Sequence, residues 1–167
     1  SSGFVGRVLL SRFQQNTNWE VAGINSSSLN LAKRESVQGL ADRLDENTTL
    51  IFSARTTGAK SSWERLKIDL EIMHNVTNAL TRKRARKCLY LSSFAVYDDS
   101  VTQRNITEET AVFPQSPYGV AKFAGECLLA EVAAKMGFPL VILRSCKLYG
   151  LGDQNFEYGP GSFLYAT

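Results

Sequence analysis

The 167-residue sequence has no apolar run near the ~20 residues that a membrane helix needs. It has no CxxC pair, no internal repeat and no low-complexity segment. Cysteines are few and odd in number: Cys88, Cys127 and Cys146 each sit in an apolar or strand-like context. That pattern argues against a disulfide framework. It leads us to expect three buried thiols in a reducing, cytoplasmic compartment. The Asn-x-Thr matches at Asn47, Asn75 and Asn105 are then read as chance rather than glycosylation, and no metal site is expected. A strong charge bias is missing too, because the net charge is only +3. The run "TRKRARK" does hold five basic residues in seven. No aromatic platform or second basic cluster accompanies it, so it reads as a solvated helix end before a strand and no nucleic-acid partner is expected. What remains is a chain that is 44% hydrophobic, long enough for one proper core and too short for two complete domains.

Four short apolar runs are present: "WEVAGI", "TLIFSA", "CLYLSS" and "LVILRS". Each is apolar on successive residues, which suits strands buried on both faces of a parallel sheet. Helical patterns alternate with them: "GRVLLSRFQQ", "SWERLKIDLEIMHNVTNALTRK" and "SPYGVAKFAGECLLAEVAAKMG". The alternation predicts an α/β fold with a doubly wound parallel sheet. Residues 98–115 form a long polar connection, the kind that usually serves a function or moves. After Arg144 the sequence turns glycine-rich and loses its period. We therefore place one domain at residues 1–147 and the start of a further region at 148–167.

The chain opens "SSGFVGRVLL", with Gly3 and Gly6 three apart at a helix start. In G-x-x-G-x-x-G these would be the second and third glycines. The second lets backbone approach a pyrophosphate, and the third lets the helix pack on the sheet. The first glycine and an apolar strand are expected to lie before Ser1. Two glycines at a helix start are also common caps, so the turn alone is a weak signal. An acidic residue closing the next strand would hold the ribose 2′-hydroxyl of NAD. Here Asn25, Ser26 and Ser27 are neutral, and Lys33 and Arg34 follow. No carboxylate repels a 2′-phosphate, which favours NADP modestly. The bland alternative is a plain polar turn, with NAD bound without a carboxylate.

Ser116 is a good N-cap and Pro117 suits the first helical position. Tyr118 and Lys122 then fall in the first turns, within about 40° of each other around the helix. Gly119, Ala121, Ala124 and Gly125 keep the neighbouring surface low, so something can come close. A phenol with a pKa near ~10 is a poor base at neutral pH, and a nearby ammonium stabilises its anion. Such a tyrosine can take a proton from an alcohol as hydride leaves the same carbon, or return one to a ketone. Ser93, ending "CLYLSS", is the candidate to orient the substrate oxygen, because ligands of open α/β sheets sit at the strands' carboxyl ends. Taken alone, Tyr-x-x-x-Lys is also compatible with an ordinary amphipathic helix.

Together "GFVG", "YLSSFAVY", "PYGVAK" and "ILRSCKLYGLG" resemble the extended short-chain dehydrogenase/reductases, the NAD-dependent epimerase/dehydratase family. The resemblance covers nearly the whole chain, in family order, and Tyr118 follows Ser93 by 25 residues, as the family's spacing has it. It implies a Rossmann-type doubly wound parallel sheet with helices on both faces, and a substrate domain mostly missing from this chain. It implies Tyr118 as acid/base, Lys122 as its activator and a ligand of the nicotinamide ribose, and Ser93 on the substrate oxygen. Gly3, Phe4, Val5, Gly6, Asn25, Ser26, Ser27 and Ala54 would line NAD(P) together with Tyr118 and Lys122, and Asp42 is the nearest candidate for an adenine contact. Family members act mostly on nucleotide-diphosphate sugars and often form homodimers through two long helices, here near residues 63–82 and 118–136. Some positions depart from the family. The 4,6-dehydratase branch carries Asp-Glu where this chain has Phe94 and Ala95, which transfer no proton and argue against that chemistry. Asp98 replaces a usual glycine. Arg144-Ser145-Cys146-Lys147 replaces Arg-Pro-x-Asn, leaving Lys147 either on a phosphate or solvated.

The expectation is an NAD(P)-dependent epimerase or reductase of a nucleotide-diphosphate sugar. The alternatives are a non-catalytic NAD(P)-binding sensor or scaffold, and a family reductase of a non-sugar ketone.

Overall fold

A computed structural model describes residues 2–56, 59–97 and 105–150. In chain order these form α1 (Phe4–Gln14), α2 (Ser36–Ala41), β1 (Thr49–Phe52), α3 (Ser62–Arg82), β2 (Lys87–Ser93), a 3₁₀ turn (Phe94–Val96), α4 (Pro117–Met136) and β3 (Leu140–Ser145). The strands lie in the order β1-β2-β3, all parallel, so α3 and α4 are the crossovers. Phe52, Tyr90 and Ile142 share one row of the register.

The two long helices start and stop where local chemistry dictates. The Ser61 hydroxyl accepts the Glu64 N–H at 3.1 Å, and the Glu64 carboxylate accepts the Lys60 N–H at 2.7 Å, which satisfies donors that the first turn leaves open. Ser116 caps α4 by accepting the Gly119 N–H at 3.0 Å, with Pro117 next. Gly137 ends α4 at φ +69°, a conformation that costs glycine little.

Leu50, Phe52, Cys88, Tyr90, Leu140 and Ile142 face Ile72, Met73, Val76, Leu80, Leu129 and Ala133 of α3 and α4 in one core. The strands are not uniformly buried, as the apolar runs predicted. Burial alternates along β2 and β3, and Ile51, Val141 and Leu143 are exposed. The reason is that the core lies on the face covered by α3 and α4, while α1 contributes no buried residue.

Three further expectations change. The run "WEVAGI" is not a strand, because it pairs with none of the three strands and a ladder needs a partner. Helix α2 had no clear signal in the sequence. It is six residues long and holds Gly39, and it stands because Val37, Leu40 and Ala41 are buried beside α3. Only Cys88 is a buried thiol, its pKa pushed up to about 12 by desolvation. Cys127 and Cys146 are exposed. Cys127 falls about 100° around the helix from the buried Glu126, on the outer side of α4. The basic run closes α3 and turns into β2. Arg82 donates to Gln38 at 3.0 Å, and Arg84 pairs with Glu46 at 2.7 Å in solvent.

The small residues of α4 make room for the protein's own chain. A Cβ on Gly119 would collide with the Ala95 carbonyl oxygen, and one on Gly125 with the Tyr90 hydroxyl and the Met73 methyl. Replacing glycine by alanine in an open helical position stabilises by about 1 kcal/mol. Gly119→Ala is expected to do the opposite, because backbone must shift, and to destabilise by about 1–3 kcal/mol. A urea midpoint for Gly119→Ala at or above that of the parent would contradict this packing.

Candidate active site

Strand β2 delivers Ser93 to the carboxyl edge of the sheet, and the chain then turns through residues 94–96. The turn forms because the Ser93 hydroxyl accepts the Ala95 N–H at 3.2 Å. Gly119 rests against the Ala95 carbonyl, so the first turn of α4, with Tyr118, is held beside Ser93 and its turn. Ser93 is buried, and among the described residues its own proton has no acceptor.

Lys122 is 7% exposed, unusually low for an ammonium. Its Nζ donates to the Leu91 carbonyl at 2.9 Å and lies 5.1 Å from the Tyr90 ring centroid and 5.8 Å from that of Tyr118. Burial lowers its pKa to about 8. Asp69 raises it and the Arg55 guanidinium lowers it further. Arg55, three residues past β1, lies 5.3 Å over the ring of Tyr118. Asp69 is committed to the Thr56 N–H at 2.7 Å. The structure thus brings Ser93, Tyr118 and Lys122 to one edge, as their sequence spacing anticipated.

One turn beyond Lys122, sequence reasoning missed Glu126, which is 4% exposed. Its carboxylate accepts the Ser92 hydroxyl at 2.5 Å and three N–H donations from Arg144 at 2.7–3.2 Å. Arg144 also donates to the Tyr97 hydroxyl at 2.9 Å, and Tyr97 donates to the Thr107 carbonyl at 3.3 Å. These partners push the Arg144 pKa further up, Glu126 most of all. The signal was available: Tyr118, Lys122 and Glu126 repeat every four residues along one helical face.

The residues expected to hold a dinucleotide lie on separate segments of the chain. Gly3 is the N-cap of α1 in an extended conformation, and a Cβ there would meet nothing within 4 Å. The first intrahelical bond runs from the Arg7 N–H to the Gly3 carbonyl, so the Phe4, Val5 and Gly6 N–H groups have no partner inside the helix. Open space before such a helix start suits a pyrophosphate. Phe4 lies close to Gly150, beyond the end of β3. Asn25 builds a turn: its side-chain oxygen accepts the Ser27 and Ser28 N–H groups, both at 3.0 Å. Ser26 and Ser27 are exposed on it, and Ala54 is exposed beyond β1.

Asp42, the candidate for an adenine contact, ends α2 and accepts from Gln38, which accepts from Arg82 in the last turn of α3. That places it at the amino edge of the sheet, opposite Ser93 and Tyr118. The direction of α2, which the sequence did not reveal, decides this. Asp98 and the second glycine of "LYGLG" lie outside the described residues, as do 151–167. Lys147 is exposed just past β3. Among the described residues no group of three His, Cys, Asp or Glu side chains could hold a metal, and no helix is long and apolar enough to cross a membrane.

Two outcomes test this geometry. An unfolded lysine titrates near 10.5 and the folded Lys122 near 8, so between those pH values the unfolded chain binds more protons. Stability of the ligand-free protein is therefore expected to rise from pH 8 towards pH 10, by up to roughly 3 kcal/mol from this residue. Lys122→Met should flatten that rise in urea titrations at each pH; an unchanged slope would refute the burial argument. Glu126→Ala leaves Arg144 without its carboxylate and is expected to cost roughly 3 kcal/mol. Glu126→Leu combined with Arg144→Leu should cost less than the single change, as measured by the same midpoints.

Against known proteins, residues 1–166 match the model of the NAD dependent epimerase/dehydratase family. An uncharacterized UDP-glucose epimerase of Bacillus subtilis is 28% identical over 116 residues, 66% of this chain and 36% of that protein. A mouse dTDP-D-glucose 4,6-dehydratase is 34% identical over 77 residues, 46% of this chain and 21% of that protein. Among solved structures, RMD from Pseudomonas aeruginosa complexed with NADPH superposes with a TM-score of 0.78 at 26% identity, covering 94% of this chain and 55% of that one. The chain therefore spans about a third of the first relative and about half of the third. Its parallel sheet and crossover helices are those of the Rossmann-type fold, and the chain belongs to the NAD-dependent epimerase/dehydratase family.

Proposed function

We propose that this chain forms the cofactor-binding part of an NAD(P)-dependent epimerase or reductase acting on a nucleotide-diphosphate sugar. The observation that carries the reading is the buried Lys122 ammonium, set between the rings of Tyr90 and Tyr118 at the carboxyl edge. The sugar hydroxyl would receive a hydrogen bond from Ser93. Tyr118 would remove its proton as the C–H bond breaks, or supply the proton when a carbonyl is reduced. The positive charge of Lys122 would offset the negative charge on the tyrosine oxygen during transfer. NAD(P), when bound, supplies the hydride acceptor or donor. Gly3, Phe4, Val5 and Gly6 would hold its pyrophosphate, and Ala54 would border it. An epimerase would return hydride to the other face of the keto-sugar, whereas a reductase would stop after one transfer.

Phe94 and Ala95 stand where proton transfer for 4,6-dehydration would be needed, which favours epimerisation or reduction despite the resemblance to the mouse dehydratase. The neutral turn at Asn25, Ser26 and Ser27 supports NADP. Exposed Trp63 on α3 and Leu128 on α4 support a homodimer through these helices, and the reading includes a cytoplasmic location.

In the full-length protein, Tyr118→Phe is expected to lower turnover at least about 100-fold while cofactor affinity is retained. Turnover equal to the parent's would remove Tyr118 from the chemistry and favour a binding or scaffolding role. Calorimetric titration should give tighter binding of NADPH than of NADH; the reverse order would refute the reading of the Asn25 turn.

A further inference from the structure

Arg55 has no place in the chemistry above, yet it occupies the catalytic edge. Its guanidinium lies 5.3 Å over the Tyr118 ring and is close enough to bear on Lys122 electrostatically. The residue is exposed, and among the described residues it has no carboxylate partner. The Asp69 carboxylate accepts the Thr56 N–H and acts electrostatically on Lys122 rather than pairing with Arg55. A guanidinium over a ring face still keeps N–H donors at its rim, in the fork that matches an oxyanion. Arg55 also adds an exposed positive charge beside that phenol, which favours an anion there.

We infer that Arg55, set over the Tyr118 ring, is an anion-binding specificity residue that receives a phosphate or carboxylate group of the bound ligand. This rests on the proposed function, because it supposes that ligands enter at Tyr118 and Lys122. Three sources present such an oxyanion: the phosphates of the dinucleotide, the diphosphate of the nucleotide sugar, and an acid group on the sugar. A uronic-acid sugar would place its carboxylate nearest the reacting end.

Binding to the full-length protein separates these sources without depending on turnover. The probes are NADPH, UDP-glucose and UDP-glucuronic acid, the last two sharing a diphosphate and differing by the carboxylate. Arg55→Gln is expected to weaken at least one probe about tenfold or more, the loss of a charge-assisted forked contact. Loss confined to UDP-glucuronic acid assigns the sugar acid. Equal loss for both sugar nucleotides assigns the substrate diphosphate, and loss for NADPH assigns the dinucleotide. Arg55→Lys, which keeps charge but not the fork, should restore the affected probe only in part. Affinities within twofold of the parent for all three probes, in a variant with the parent's urea midpoint, would overturn the inference and leave the stack structural. If the parent itself binds none of the three, the proposed function falls and takes this inference with it.

Discussion

A carboxylate inside a helix and almost out of water costs several kcal/mol unless its oxygens are occupied. Glu126 meets that condition with the Ser92 hydroxyl from β2 and the Arg144 fork from β3. One side chain of α4 is thereby bonded to two strands at once. The partners are also neighbours of the site: Ser92 precedes Ser93, and Glu126 lies one turn from Lys122. The positions of Ser93, Lys122 and Tyr118 relative to one another are fixed by that clamp on one side and by the Gly119 contact with Ala95 on the other. The network continues through Tyr97 to the Thr107 carbonyl, and the Phe113 N–H bonds the Val96 carbonyl at 2.9 Å. The described end of the long polar connection is thus anchored to the same turn.

The clamp works only because helix and sheet come unusually close. Gly125 admits the Tyr90 hydroxyl, which donates to the Lys122 carbonyl at 3.4 Å. Burial holds the Tyr90 phenol well above its ordinary pKa. It therefore stays neutral and presents its ring to the Lys122 ammonium. A larger residue at 125 would lift α4 off β2 and lengthen every contact that the site depends on.

What the sequence disclosed follows local rules. Serine caps at 61 and 116, Pro117 and Gly137 mark the ends of α3 and α4 whatever surrounds them, and three of the four apolar runs are strands. The shared face of Tyr118 and Lys122 is helical arithmetic. What it hid depends on partners. The run at 19–24 lacks a neighbouring strand among the described residues. Helix α2 holds by burial rather than propensity, so its direction, and with it the position of Asp42, is not legible in the sequence. Apolar neighbours in sequence suggest buried cysteines, but Cys127 follows the helix around to solvent. Glu126 looked like a surface glutamate because its partners lie 18 and 34 residues away. Arg55 gave no sign of its stacking on Tyr118, since nothing in "TLIFSARTTG" points towards α4.

The two pairs of charged residues along α4 contrast in their chemistry. Glu126 and Arg144 cancel each other, with every carboxylate oxygen bonded, and such a closed pair has nothing left for a ligand. Lys122 and Arg55 are of like sign and share no carboxylate among the described residues; they are held by a carbonyl and by aromatic faces. Burial works most strongly against the ammonium and the Arg55 charge adds to it, outweighing the nearby Asp69 carboxylate, which is why its pKa falls to about 8 while it remains mostly protonated at neutral pH. A bound anion or a phenolate would relieve that cost. Under the proposed function, the cost of burying Lys122 would be relieved as negative charge develops on the tyrosine oxygen, which is the condition for stabilising a charge that forms during reaction rather than one already present.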